Sequence, residues 1–199
     1  MIFLETARLR LRNVAPKDTA VMYDYRNNEI CSRYQRGQAK DQDGIAALIR
    51  RRGEDILSAD APFMIAVALK ETDEMVGEIV AKPRYDTISL GYTFSWRHHR
   101  KGYAFEALSA LIDLLQERCP EWGFLCFTDP ENEASMALLQ KLGYHDLGYL
   151  SSMESQVFGK WFHQAARDKT AQAVMAYSSA AEQGTHPSDQ ERSIHADTQ

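Results

Sequence analysis

Between Pro62 and Phe94 the chain sets out three apolar runs in close succession. PFMIAVAL leads through the turn residues ETDE into MVGEIVAK, and ISLGYTF completes the series. Runs of this length, rich in β-branched and aromatic residues and broken by short polar turns, are strands, and the first two form an antiparallel hairpin. From Ala104 the period changes. Ala107, Leu108, Leu111, Ile112 and Leu115 recur on one side of a helix that must stop before Cys119-Pro120. A hairpin followed by a strand–loop–helix unit commits the chain to an α/β (α+β) architecture, with helices flanking a central sheet.

The remaining segments extend the same plan. In ARLRLRNV, Leu9 and Leu11 alternate with Arg8, Arg10 and Arg12, as in a half-exposed strand. Residues 16–27 open on Pro16 and read as a helix carrying Ala20, Met22, Tyr23 and Tyr25. A second helix is expected over 41–57, with Ile45, Leu48, Ile49 and Ile56 at helical spacing and Arg50, Arg51 and Arg52 on a solvated face. GFLCFT is a short buried strand, and DPENEASMALLQKLGY is a turn and a helix stopped by Gly143. YHDLGYL and SQVFGKWFH pair at the end. The plan is one domain over 1–163, a C-terminal helix over 164–183 and a disordered tail over 184–199. The 199 residues suffice for one such core.

Composition removes several function classes. No apolar run approaches the roughly 18–20 residues of a transmembrane helix, and MIFLETARLRLR lacks a secretory pattern. The three cysteines form no C-x-x-C pair, so a reduced, cytoplasmic protein without zinc is expected. A net charge of −5 speaks against a dedicated nucleic-acid binder and suits a cationic partner such as an amine. No membrane partner is expected.

The chemistry concentrates in HHRKGYAFEALSAL, residues 98 to 111. His98 and His99 are adjacent and diverge, which makes a poor chelate. Neither G-x-G-x-x-G nor a Walker A loop is present, since Lys101 precedes Gly102. A basic loop with one glycine, opening directly into a helix, still offers an anion seat: the first helical N–H groups lack partners and carry the positive end of the dipole. Gly102 admits close backbone approach. Arg97, Arg100 and Lys101 add charge, and Ala104 keeps the first turn slim. Pyrophosphate or phosphate is the natural guest.

H-R-K-G-Y-A-F-E-A resembles the acyl-CoA-binding signature [QR]-x-x-G-x-[GA] of the GNAT acetyltransferases, matching at Gly102 and Ala104, with His99 in place of Gln or Arg. ETARLRLR and DPENEASMALLQKLGY resemble two further segments of the branch that includes the ribosomal-protein N-terminal acetyltransferases. The second matches at Asn132, Ser135, Leu139, Lys141, Gly143 and Tyr144. The resemblance implies a GNAT fold, a mixed and mostly antiparallel sheet whose central strands splay to admit the pantetheine arm of acetyl-CoA. It implies direct acetyl transfer to an amine, with no metal, in a monomer or homodimer. Phe94, Ser95, Arg97, Arg100, Lys101, Gly102, Tyr103, Ala104 and Asn132 would bind acetyl-CoA; for Asn132 a helix N-cap is an equally direct reading. Gly91 would form a bulge beside the acetyl group, and Tyr34 and Gln35 would shape the acceptor pocket.

The transfer needs a neutral amine and a proton for the leaving thiolate. Leu139 stands where many relatives place a tyrosine acid, so Ser135, one turn earlier, is the candidate acid. Ser89 stands where many carry a glutamate, which leaves Glu78 and Tyr92 as candidates for the base. Neutralising a lysine-type amine at pH 7 costs about 4.6 kcal/mol, whereas an α-amine costs about 1.4, so an α-amine is the acceptor expected of a site without a strong base. A non-catalytic acyl-CoA-binding regulatory module is the alternative from a different class.

Overall fold

The computed structural model describes residues 1–182; the tail expected over 184–199 lies outside them. Eight strands form one sheet: β1 (Ile2–Glu5), β2 (Leu9–Arg12), β3 (Phe63–Leu69), β4 (Met75–Arg84), β5 (Thr87–Phe94), β6 (Gly123–Thr128), β7 (His145–Leu150) and β8 (Ser155–Lys160), in the order β1-β2-β3-β4-β5-β6-β8-β7. Every neighbouring pair is antiparallel except β5 with β6. That parallel contact covers only Thr87–Gly123, Ile88–Phe124 and Ser89–Leu125. Past Ser89 the two strands part.

Alternation along the strands sorts the helices. Phe63, Ile65 and Val67 of β3, Ile79 of β4, Ile88 and Leu90 of β5, and Phe124 and Cys126 of β6 face one side. They bury the stripe Ala107, Leu108, Leu111, Ile112 and Leu115 of α4 (Tyr103–Arg118), together with Leu139 of α5 (Glu133–Lys141). The opposite face packs α1 (Thr19–Asn27) and α3 (Gln42–Arg52) through Met22, Tyr25, Ile45 and Ile49 against Met64, Ala66 and Met75. The short α2 (Glu29–Ser32) adds Cys31 to that side. The C-terminal α6 (Gln164–Glu182) sits on the same face further along, burying Ala173 and Tyr177 on Leu125 and Val157.

Two expectations require correction. The helix expected over 41–57 ends at Arg52, and Ile56 is 61% exposed instead of lining the core. Beyond Gly53 the Asp55 carbonyl accepts from the Asn13 side chain at 2.7 Å and its carboxylate accepts from the Met64 amide at 2.8 Å, which turns the chain into β3. Nor does Gly91 form a bulge. The β4–β5 register runs unbroken from Gly77–Phe94 to Arg84–Thr87 through Val80–Gly91. Gly91 contributes emptiness, because a Cβ there would meet nothing within 4 Å.

Gly123 is the counter-example: a Cβ there would fall 1.9 Å from Thr170 Oγ1 and 3.1 Å from the Ala166 carbonyl. Its bare Cα lets α6 seat on the sheet. Gly123→Ala should therefore lower unfolding free energy by about 1–3 kcal/mol in urea denaturation, with Thr170→Ala in the same chain recovering part of the loss.

Candidate active site

The loop between β5 and α4 is held from several directions. Gly102 caps α4 at φ +79°, ψ 5°, the left-handed region that suits glycine. Arg100 also has positive φ, +63°, a strain of about 1–2 kcal/mol outside glycine. Both persist because the turn between β1 and β2 clamps the loop. Thr6 Oγ1 donates to Glu106 Oε1 at 2.5 Å, the Arg8 amide donates to the same oxygen at 3.0 Å, and Arg8 Nε donates to Oε2 at 2.7 Å. Arg8 Nη1 also donates to the Lys101 carbonyl at 2.9 Å. Partial burial works against ionisation of Glu106, but the Thr6 and Arg8 hydrogen bonds hold its carboxyl below the usual range. His99 Nε2 lies 2.9 Å from the Phe94 carbonyl, tying the loop back to its own strand. A groove of about 590 Å³ runs from Arg8 and Gly102 along Phe105 to Lys141.

Where β5 and β6 part, a small polar group sits in apolar walls. The hydroxyls of Tyr92 and Ser135 are 2.8 Å apart. Burial first, then the neighbouring Cys126, pushes the Tyr92 hydroxyl far above the usual tyrosine range, so it stays protonated. Burial likewise pushes the Cys126 thiol up to about 12, which rules it out as a thiolate nucleophile near neutral pH. Asn132 caps α5, its Oδ1 accepting from the Ser135 amide at 3.1 Å, and thereby fixes the turn that carries Ser135.

On the opposite face, the segment after α2 crosses the mouth of the gap. Gln35 Nε2 donates to the Tyr92 carbonyl at 3.2 Å and the Tyr34 hydroxyl donates to the Glu131 carbonyl at 3.2 Å. Gln38 donates to Thr93 Oγ1 at 2.9 Å. Across the mouth stand Tyr85, Tyr177 and Phe127 in edge-on contact, with the Arg84 guanidinium over both tyrosines. Behind this valley Glu78 is enclosed, at 1% exposure. It accepts from Arg26 Nη2 at 2.7 Å and from the Tyr25 hydroxyl at 2.9 Å.

Among the described residues there is no group of three His, Cys, Asp or Glu that could hold a metal, and no helix long and apolar enough to cross a membrane. The GNAT acetyltransferase domain family matches residues 8–145. The chain belongs to that family. The acetyltransferase is 25% identical over 149 residues to the uncharacterized N-acetyltransferase YnaD of Bacillus subtilis, covering 73% of this chain and 84% of YnaD. Among solved structures, an acetyltransferase from Agrobacterium tumefaciens is 25% identical with a TM-score of 0.64, covering 81% of this chain and 94% of that one. RimL, a ribosomal L7/L12 α-N-protein acetyltransferase solved with coenzyme A, shares the fold at 14% identity and a TM-score of 0.68, over 83% and 99% of the two chains. The enzyme is thus an acetyl-CoA-dependent N-acetyltransferase with a GNAT fold, and its sheet has the expected mixed, splayed form.

Against that chemistry, the structure sorts the residues singled out from the sequence. It gathers Tyr92 and Ser135 at the gap with Asn132 beside them, and Tyr34 and Gln35 at its mouth. It places Arg100, Lys101, Gly102, Tyr103 and Ala104 together at the α4 start. Arg97 turns aside, 3.2 Å from Asp24 of α1. Phe94 and Ser95 are buried, and the Ser95 amide donates to the Val76 carbonyl at 2.9 Å, holding the end of β5. Glu78 stands 2.7 Å from its Arg26 partner, too deeply engaged for a carboxylate meant to collect protons from solvent. Sequence reasoning missed the Arg8–Glu106 clamp, although the ETARLRLR segment contained one half of it. It also missed Gln38.

Glu78→Gln should leave the Arg26 guanidinium buried without its counter-charge and cost about 3–5 kcal/mol in chemical denaturation, well before any effect on proton transfer is resolved. The Glu106 clamp sets an acid dependence. Its carboxyl is lowered in the folded chain, so the contribution is complete above about pH 4.3 and is lost as pH falls through the lowered value. Stability measured from pH 6 down to about 3 should fall less steeply for Glu106→Gln than for the wild type.

Proposed function

We propose that this acetyltransferase moves the acetyl group of acetyl-CoA directly to an α-amine, on a protein N-terminus or a small molecule of similar basicity. One observation carries the choice of acceptor: Glu78, the carboxylate singled out as a base, is already engaged inside the protein. Its partners are Arg26 and Tyr25, and Ser89 stands on β5 where many relatives carry glutamate. An α-amine loses its proton near pH 8 at a cost of about 1.4 kcal/mol at pH 7, which water can accept.

In this reading acetyl-CoA enters from the α4 and α5 face. Its pyrophosphate lies on the amides at Gly102 to Ala104, with Arg100 and Lys101 at the rim. Asn132, whose side-chain oxygen is used in capping, offers its nitrogen to the pantetheine arm. The arm fills the space beyond Ser89, where β5 and β6 leave backbone groups without strand partners. The acceptor approaches over Gly91, between Tyr34 and Gln35 on one side and Tyr177 on the other. Its nitrogen bonds to the thioester carbon, the C–S bond breaks, the Ser135 hydroxyl gives its proton to the sulfur, and the excess proton of the amine passes through water to restore Ser135. Tyr92, kept neutral by burial, holds Ser135 in place and shares its proton.

A thiol-release assay with acetyl-CoA tests this. Peptides with free α-amines or α-amine analogues should release CoA, and a clear preference for lysine side chains or polyamines would exclude the acceptor assignment. Gly102→Asp places a carboxylate at the pyrophosphate seat and strains φ +79°; acetyl-CoA binding by calorimetry should fall at least about 100-fold, or roughly 2.7 kcal/mol. An unchanged affinity would overturn the cofactor seat.

A further inference from the structure

Tyr144 carries a hydroxyl for which the folded chain has no use. The residue is 4% exposed, within the main core that also buries Leu139 and Leu142, and its hydroxyl finds no oxygen or nitrogen partner. Phenylalanine would supply all of that packing. A buried hydroxyl without a partner is a cost that folds carry sparingly, and each instance calls for a reason. The position is also closely controlled. Gly143 turns the chain at φ +81°, and the Tyr144 amide donates to the Leu139 carbonyl at 3.0 Å, fixing the ring beneath α5 at the start of β7. The hydroxyl lies against the Cys126 thiol, within electrostatic reach of Tyr92. Cys126 is on β6 beyond its last contact with β5, and Tyr92 is on β5 beyond the same point. A protonated thiol is a weak acceptor, so Cys126 does not satisfy the group. The orphan therefore sits beside the gap, on the same face of the sheet as the Tyr92–Ser135 pair.

We propose that the Tyr144 hydroxyl is a hydrogen-bond donor reserved for the thioester sulfur of acetyl-CoA, unpartnered until the pantetheine arm enters the gap between β5 and β6. The inference rests on the acetyl-CoA reading of that gap. When the acceptor nitrogen bonds to the carbonyl carbon, the C–S electron pair passes to sulfur. Ser135 delivers the proton that neutralises it, and the excess proton of the amine returns to Ser135 through water. Tyr144 keeps its own proton and hydrogen-bonds the sulfur as charge gathers there, a preorganised donor in an apolar wall. It would share the work of the tyrosine that many relatives carry at the position of Leu139, reaching the same region from the strand after the helix.

Tyr144→Phe in the full chain tests this with three readouts. Thermal unfolding without ligand should be unchanged or shifted upward, because only an unsatisfied hydroxyl is removed. Calorimetry should show acetyl-CoA binding weakened about fivefold to tenfold, with affinity for 3′,5′-ADP, which lacks the pantetheine arm, unchanged. In the thiol-release assay kcat should fall about tenfold while the acceptor KM stays constant. A lower melting temperature with unchanged acetyl-CoA affinity would show a structural hydroxyl and overturn the proposal. So would a variant equal to the wild type in all three. If the wild type itself binds no acetyl-CoA, the reading of the gap fails and the proposal with it; if the wild type binds and turns over and the variant matches it, only the role of Tyr144 falls.

Discussion

The structure depends on how briefly β5 and β6 touch. Three residue pairs of parallel contact, Thr87 to Ser89 against Gly123 to Leu125, join a five-stranded half to a three-stranded half. A parallel ladder needs a crossover between its strands, and α4 supplies it, so the helix that opens on Gly102 is also the link that sets the spacing of the two halves. Had the ladder continued, those backbone groups of Leu90 to Phe94 that point away from β4 would be spent on β6. Because it stops, they face a cleft that an extended amide-bearing chain can fill as a strand would.

An open seam in a sheet needs bracing, and the braces lie on both faces. On the α4 side, Arg8 and Thr6 hold Glu106 in the first turn of the helix, so the first strand pair is tied to the crossover helix. A single exposed ion pair contributes little. This one differs because two side chains and a backbone amide converge on one carboxylate. On the other side, Arg26 and Tyr25 of α1 bind Glu78 of β4 inside the protein. Such a pair is costly to bury and costly to break, and it fixes α1, and with it the loop of Tyr34 and Gln35, relative to the gap.

What could be read from the chain follows from the range of each interaction. The α4 stripe was legible because its five apolar residues repeat at helical spacing within nine positions, and each is buried. Gly102 was legible because a glycine just before a helix, after basic residues, has few physical uses. The Arg26–Glu78 pair was not, since its partners are 52 positions apart and neither leaves a local trace. Helix α3 was overrun because Ile56 keeps the period after the backbone has already turned. Gly91 misled for a different reason. Periodicity locates a glycine within a strand but does not say whether the absent side chain relieves the backbone or leaves a space, and here it leaves a space.

The division of labour between the faces also bears on how the acceptor meets the thioester. Strand alternation sends Tyr92 toward Ser135 and the core under α5, while Gly91 and Thr93 on either side of it face the valley of Gln38 and Tyr177. In the proposed reading a proton donor and an acceptor channel thus come from adjacent residues of one strand on opposite faces and meet at the gap between them. That arrangement requires no side chain to move from one face to the other. It requires that β5 keep its register against β4, which the unbroken ladder from Gly77 to Arg84 ensures. A one-residue slip would turn Tyr92 into the valley and Gly91 toward Ser135, exchanging donor and channel at once.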